Sequence, residues 1–386
     1  MKATPIKIFI IALLFAGACK KGEPPAKEIT IAADLTQTEI TYLEIIAGTR
    51  QVLPKTKIIF QPTQGLEPEN LLIGNDQPDI FELDFKDRLT LLGSAMELHK
   101  FFQGDYENSI FYMSYFQPGV FENRKYYYMP FRMDWPVFLY NAERVSGPPA
   151  DFNAMAKLCH DRPGSMGILA GDDDAVLQFM LALVWGFRGN EFELEDPGAQ
   201  NAISYLASIK SCVSPLSENY DAQSLADALS SGEIDFAIAG FDTAFKLWND
   251  RSLPQKISAS PVPGRYPVPL SGTFLGVSRA SQFPNSAFKI GFFLSDPATC
   301  GKIVSSGLWL CAFPYVGLEP PPGRKDLFKP FIESQGRLKP LPMTVDLRRM
   351  AKIYREIFNR IVYKGEPSIV VAADMRLDLK KLEEGL

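Results

Sequence analysis

A chain of 386 residues is too long for one compact core, so two lobes or domains are expected. Apolar residues at 46% and charged residues at 22% are ordinary for a globular protein, and a formal net charge of −5 argues against a nucleic-acid binder, which needs a basic face. With only His99 and His160, histidine-based catalysis and histidine-rich metal centres have little to build on.

The first segment, "MKATPIKIFIIALLFAGACKKGEPPAKE", sets Lys2 and Lys7 ahead of an apolar run, Ile8 to Phe15, and then small residues. The run is too short for a stop-transfer helix and reads as an export signal over residues 1–18. "FAGAC" resembles a bacterial lipoprotein processing site, with Ala16 where leucine is usual and Cys19 as the lipidated residue. Acyl chains would hold the protein at a membrane surface, at about 0.8 kcal/mol per buried CH2. Residues 19–28 would form the tether; a plain cleaved signal is the alternative.

Beyond the tether, "EITIAADL" reads as a strand and "TQTEITYLEIIAGTRQVLP" as a helix. Thr36 and Glu39 have capping-box spacing, Ile40, Leu43 and Ile46 give a helical stripe, and Pro54 stops it. "KTKIIFQPT" and "PDIFELDF" are strands, and "DRLTLLGSAMELHKFF" a helix. This alternation indicates an α/β fold with a largely parallel sheet. "YYYMPFRMDWPVFLYNAERV" opens as a strand, is interrupted by Pro130, Arg132, Asp134 and Trp135, and resumes as a strand at "PVFLYN". The interruption reads as the edge of a ligand cleft, followed by a crossing to a second lobe.

The alternation repeats after residue 145. "PPADFNAMAKLCHD" is a helix with Asp151 as its cap, "SMGILAG" a strand, and "DDDAVLQFMLALVWGFRG" and "EDPGAQNAISYLASIKSCV" are helices. "SLADALSSGEIDFAIAG" gives a helix, a stop at Gly232 and a strand, and "DTAFKLWND" a short helix. "QKISASPVP" and "SGTFLGVSR" are strands, and "PNSAFKIGFFLSDPATCGKIVSSG" is a helix pair broken at Pro297. A connection, "EPPPGR", leads to amphipathic segments over residues 343–363 and 367–383. Export permits disulfides, and Cys159, Cys212, Cys300 and Cys311 allow three connectivities, among which the sequence does not choose. Cys159 shares a helical face with Phe152 and Met155, so a buried thiol there is as consistent as a bridge.

This order of segments resembles the family 1 extracellular solute-binding proteins, the maltose-binding-like receptors of ABC importers, over about residues 29 to 383. The resemblance is carried by "PDIFELDFKDRLTLLGSAMELHKFF", "YYYMPFRMDWPVFLYNAERV", "PPADFNAMAKLC", "LSSGEIDFAIAGFDTAF", "SPVPG" and "GTFLGVSRASQFPNSAFKIGFFLSDPATCGKIV", in that order. It implies a two-lobed, type II periplasmic-binding-protein-like α/β fold, each lobe a mainly parallel sheet flanked by helices, with the ligand between. Residues 29–136 and 264–312 would form the N-terminal lobe, and 137–263 and 313–386 the C-terminal lobe. In open α/β sheets ligands sit beyond the carboxyl ends of strands, and hinged lobes close on them.

Candidate ligand contacts follow from that rule. Trp135 could stack on an apolar sugar face and Asp134 accept paired hydroxyl hydrogen bonds, with Arg132 beside them. The alternative makes Trp135 a hinge-packing residue and Arg132 and Asp134 a solvated ion pair. Glu82 and Asp84 follow an apolar strand; surface or capping roles are the alternative. Of the Asp172, Asp173 and Asp174 run, one residue caps the helix and a second faces the cleft, with Asp172 and Asp173 taken as the contacts. Phe241 and Asp242 end a strand, Ser271 and Thr273 lie near the second crossing, and Trp309 is placed at a third crossing or in packing. The aspartate run lacks calcium-loop spacing, so no metal is expected, and no cofactor.

The motifs of serine hydrolases, phosphate loops, dinucleotide folds and zinc peptidases are absent, so no enzyme is expected. The leading expectation is a monomeric, lipid-anchored receptor for a sugar or oligosaccharide, exported to the periplasm or cell exterior and serving ABC permease subunits. A cleft of acids and tryptophan would also suit a polyamine or other cation. A sensor or surface lipoprotein on the same scaffold is the third possibility.

Overall fold

The computed structural model describes residues 28–50, 52–63, 68–74, 76–101, 121–122, 125–249, 256–311, 325–342 and 345–385. The signal segment, Cys19, all but the last residue of the tether and the "EPPPGR" connection lie outside these residues.

Strand β1 (Glu28–Ala33) leads into α1 (Gln37–Arg50), then β2 (Lys57–Pro62), the single turn α2 (Pro68–Leu71) and β3 (Ile80–Asp84). The capping box forms: the Thr36 N–H donates to Glu39 Oε2 at 2.6 Å, and the Glu39 N–H to Thr36 Oγ1 at 3.3 Å. A short hairpin, β4 (Phe121–Glu122) and β5 (Lys125–Tyr126), precedes β6 (Tyr128–Asp134) and β7 (Val137–Asn141). Helix α3 (Phe152–His160), β8 (Met166–Gly167), α4 (Asp173–Gly186), α5 (Pro197–Ile209), α6 (Ala222–Ser231), β9 (Phe236–Ala239) and α7 (Phe241–Asn249) follow. Then come β10 (Ile257–Pro261), β11 (Val268–Val277), α8 (Pro284–Ser295), α9 (Pro297–Ser306), α10 (Lys325–Ser334), β12 (Leu338–Pro340), α11 (Leu347–Val362) and α12 (Ser368–Glu383).

Among the described residues, and apart from the two-stranded β4/β5 hairpin, the strands form two sheets that mark the two lobes. The first runs β12-β11-β3-β1-β2, with β6 also paired to β11; the second runs β10-β7-β9-β8. Both are mixed: three of the five pairings in the first are parallel, whereas two of the three in the second are antiparallel, which corrects the expectation of a mainly parallel sheet for that lobe. Pairs β1/β2, β1/β3, β11/β12 and β8/β9 are parallel. Strand β11 runs against β3 and β6, and β7 against β9 and β10. The chain crosses between lobes at residues 135–136, from β6 to β7, and at 262–267, from β10 to β11.

Asp151, Asp172 and Asp196 cap α3, α4 and α5, and Gly232 ends α6 at φ 79°, a left-handed conformation that suits glycine. Helix α4 is buried along nearly its whole length, packed against α5, α11 and β11. Cys159 and Cys212 form a disulfide with a Cα–Cα distance of 5.0 Å, linking α3 to the turn after α5; Cys300 and Cys311 are free and buried.

The helix expected over "DRLTLLGSAMELHKFF" does not form. The chain makes a 3-10 turn at Phe85–Asp87 and another at His99–Phe101, with Ala95 bridged to Ser278. Tertiary partners replace the helical ladder: the Met96 N–H donates to Val277 O at 2.8 Å, and the buried Arg88 guanidinium donates to Phe85 O and Val345 O. The strand expected over "SMGILAG" shortens to the two residues of β8.

Candidate functional site

A cavity of about 810 Å3 lies between the two sheets, where strand ends from both lobes converge. Strands β3, β6 and β11 of the first sheet contribute Glu82 and Asp84, Arg132 and Asp134, and Ser271 and Thr273. Across from them stand the end of β9 with the first turn of α7, and the first turns of α4. Adjacent strands project every second side chain to one face, which is why these pairs are spaced by two.

Glu82 is buried and anchors the first wall. It accepts from the Asp34 N–H at 2.9 Å and from Thr273 Oγ1 at 2.6 Å, and Arg132 Nε lies 3.2 Å away. Burial pushes its carboxyl up, opposed by Arg132 and the two donors. Arg132 also pairs with Glu39 at 3.6 Å and donates to Asp34 O. Burial works against its charge, but Glu82 and Glu39 outweigh that and raise it. Its guanidinium sits 4.8 Å over the Trp309 ring.

Asp134 reaches the opposite wall, where its Oδ1 accepts from the Phe241 N–H at 2.6 Å. Burial, reinforced by Asp242, lifts its carboxyl to about 7. Asp242, though open to the cavity, is also raised by desolvation inside the cleft, against Arg132 and Lys246. Lys86 spans the cleft, 3.4 Å from Asp84 and 2.7 Å from Asp174 at the start of α4. Burial lowers its pKa, but the two carboxylates prevail and raise it. A second span joins Gln178 Nε2 of α4 to Ser271 Oγ of β11 at 2.8 Å.

Of the residues singled out in the sequence, the cavity brings together Glu82, Asp84, Arg132, Asp134, Asp172, Phe241, Asp242, Ser271, Thr273 and Trp309. Two expectations are corrected. Trp135 does not line the cavity: it is 1% exposed and meets Phe331 of α10 edge-on, with ring centroids 5.9 Å apart. It packs the crossing between lobes. Asp173 does not line the cavity either, and pairs with Arg355 of α11 at 2.6 Å. Each helical step turns a side chain by about 100°, so Asp174, the next residue, is the one that faces inward. Asp172 lines the wall while capping α4 through the Asp174 and Ala175 N–H groups. Asp34, Lys86, Asp174, Gln178 and Tyr220 also line the cavity and were missed. The strand-end rule that selected Glu82 would have found Asp34, directly after β1; Lys86 and Gln178 carry no such signal.

A profile of the bacterial extracellular solute-binding protein family matches residues 54–298, more than half of the chain. No curated protein matches the sequence. The sugar-binding protein MalE from Xanthomonas citri superposes with a TM-score of 0.73 at 16% identity, covering 92% of this chain and 97% of its own. An ABC substrate-binding protein from Listeria monocytogenes in complex with cycloalternan gives 0.71 at 16% identity, with 94% and 100% covered. A cyclic alpha-maltosyl-1,6-maltose binding protein from Arthrobacter globiformis gives 0.72 at 16% identity, with 92% and 100% covered. The fold is that of the two-lobed MalE-like binding proteins.

Proposed function

As this chain belongs to the bacterial extracellular solute-binding protein family, we propose that it is a receptor that captures a sugar or oligosaccharide between its lobes and delivers it to an ABC importer. One observation carries the reading: the cavity is walled by hydrogen-bonding side chains from both sheets, and strand crossings join those sheets. Hydroxyl-rich solutes suit carboxylates and amides that accept and donate in pairs. A solute that touches both walls binds the closed arrangement better than the open one, which is the condition for it to drive closure.

The remaining parts of the reading follow from the sequence. The export signal and Cys19 would place a lipid-anchored monomer at a bacterial membrane, facing the periplasm or exterior. Residues 29–136 and 264–312 are assigned to one lobe and 137–263 and 313–386 to the other, with β12 adding an edge to the first sheet. Release of the solute unchanged is part of this reading and is supported by the family, whose members are solute-binding proteins.

A thermal-shift screen of the mature protein against saccharides, with scattering on the hits, tests the receptor reading. A solute at 100 times its dissociation constant adds about 2.7 kcal/mol of stability, and the envelope contracts. A hit without contraction would remove hinged capture. Replacing Cys19 by alanine should release the protein from the membrane fraction; if it stays, the anchor is elsewhere.

A further inference from the structure

The cavity's charge is not balanced by its own residues. Ten carboxylates line it against two bases, Lys86 and Arg132. Both bases are engaged, Lys86 by Asp84 and Asp174, Arg132 by Glu82 and Glu39. Asp172 and Asp221 are held by helix N–H groups. Asp34, after β1, and Asp242, in the first turn of α7, are exposed at the wall and make no ion pair or side-chain hydrogen bond among the described residues. Beyond desolvation, Asp34 and Glu39 add to the raised state of Asp242, and Arg132 and Lys246 offset it in part.

Two further groups in the same wall have a side-chain polar atom with no hydrogen-bond partner among the described residues. Thr243 and Trp309 are 1% and 3% exposed, and neither Thr243 Oγ1 nor Trp309 Nε1 has a hydrogen-bond partner. A buried polar group left unpaired opposes folding, so such groups mark where a polar guest completes the structure. Among the described residues the wall also offers little stacking surface. Phe85, Phe179, Phe241 and Trp309 are buried, Arg132 covers Trp309, and Tyr220 is the one half-buried ring. Charge, more than an aromatic platform, is what this cavity presents.

We propose that the solute carries a protonated amine, received by Asp34 and Asp242 while its other polar groups meet the remaining wall. This rests on the receptor reading above and narrows its ligand class. A bare metal ion fits less well, because among the described residues no three His, Cys, Asp or Glu side chains are arranged to hold one. An ammonium needs only nearby acceptors and can come from an amino sugar or from a polyamine.

The test is calorimetry on the mature protein with paired probes: glucosamine against N-acetylglucosamine, and spermidine against 1,8-octanediol, with maltose as a neutral saccharide. One amine should bind at least about 10-fold tighter than its neutral partner, weaken in 1 M salt, where the screening length is about 3 Å, and lose about 10-fold or more in Asp242→Asn. Glucosamine binding identifies the amino-sugar source, spermidine binding the polyamine source. Equal or tighter binding of the neutral members or maltose overturns the amine and leaves the receptor standing. Silence from every probe overturns both. Amine binding unchanged in both Asp242→Asn and the Asp34→Asn, Asp242→Asn double variant overturns the placement.

Discussion

Asp134, the last residue of β6, accepts the backbone N–H of Phe241, the first residue of α7, at 2.6 Å. The bond ties the first sheet to a helix that follows a strand of the second. A carboxylate at a helix N-terminus meets unpaired N–H groups and the positive end of the helix dipole. Gly240 makes the approach possible, since a Cβ there would lie 2.1 Å from Asp134 Oδ2.

Gly240→Ala should therefore displace the Asp134 carboxylate and loosen the start of α7. Overpacking of this kind costs about 1–3 kcal/mol, read as a lower denaturant midpoint with unchanged slope. A midpoint equal to wild type would show that the carboxylate has room to move.

The raised pKa of Asp134 gives a pH signature. Its folded value of about 7 lies above the ordinary 3.8, so between these values the folded state binds the extra proton. This contribution to stability is present below about pH 4 and is lost as pH rises to about 7. Asp134→Asn keeps an oxygen for the Phe241 N–H and removes the titration. The variant's stability should fall less than wild type between pH 4 and 7, by urea melts at each pH. Parallel curves would refute the assignment.

Trp135→Ala should cost about 3–5 kcal/mol through loss of a buried ring, with Trp135→Phe costing less. The measure is the unliganded melting temperature. If the alanine variant melts like wild type and only loses ligand, Trp135 is a contact residue after all.

Lys86→Met removes the ion pairs that join Asp84 and Asp174 across the cleft. Both ends are partly exposed, so global stability should change by no more than about 1 kcal/mol. The lobes should open, seen as a larger radius of gyration without ligand. An unchanged radius would show that the remaining spans, Gln178 to Ser271 and Asp134 to Phe241, hold the cleft.

Reduction of Cys159–Cys212, which closes a loop of 53 residues, should lower stability by up to about 4 kcal/mol in the chain-entropy picture. The bridge joins elements behind the second sheet, away from the cavity wall. Binding measured well below the melting temperature should persist. Loss of binding on reduction would couple the bridge to the cleft.

What the sequence made legible was local. Thr36 with Glu39, Asp151 and Gly232 announce helix ends within four residues, as does the 172–174 acid run without saying which acid caps, and the structure uses them so, with Asp172 as that cap. Strand-end acids at Glu82, Asp134 and Asp242 were readable because a strand's carboxyl end faces the cleft. What stayed hidden depends on distant partners. Trp135 is buried by Phe331, and residues 88–101 are drawn out of helix by Tyr128, Val277 and Val345. Periodicity over a short window carries no information about such neighbours.

Strand β11 lies at the centre of the first sheet, flanked by β3, β6 and β12, yet Thr273 meets Glu82 across 191 residues of chain. That sheet stays unfinished until most of the polypeptide exists, and contacts so remote in sequence form slowly. A nascent chain that ends before residue 268 therefore leaves β3 and β6 without the strand they share.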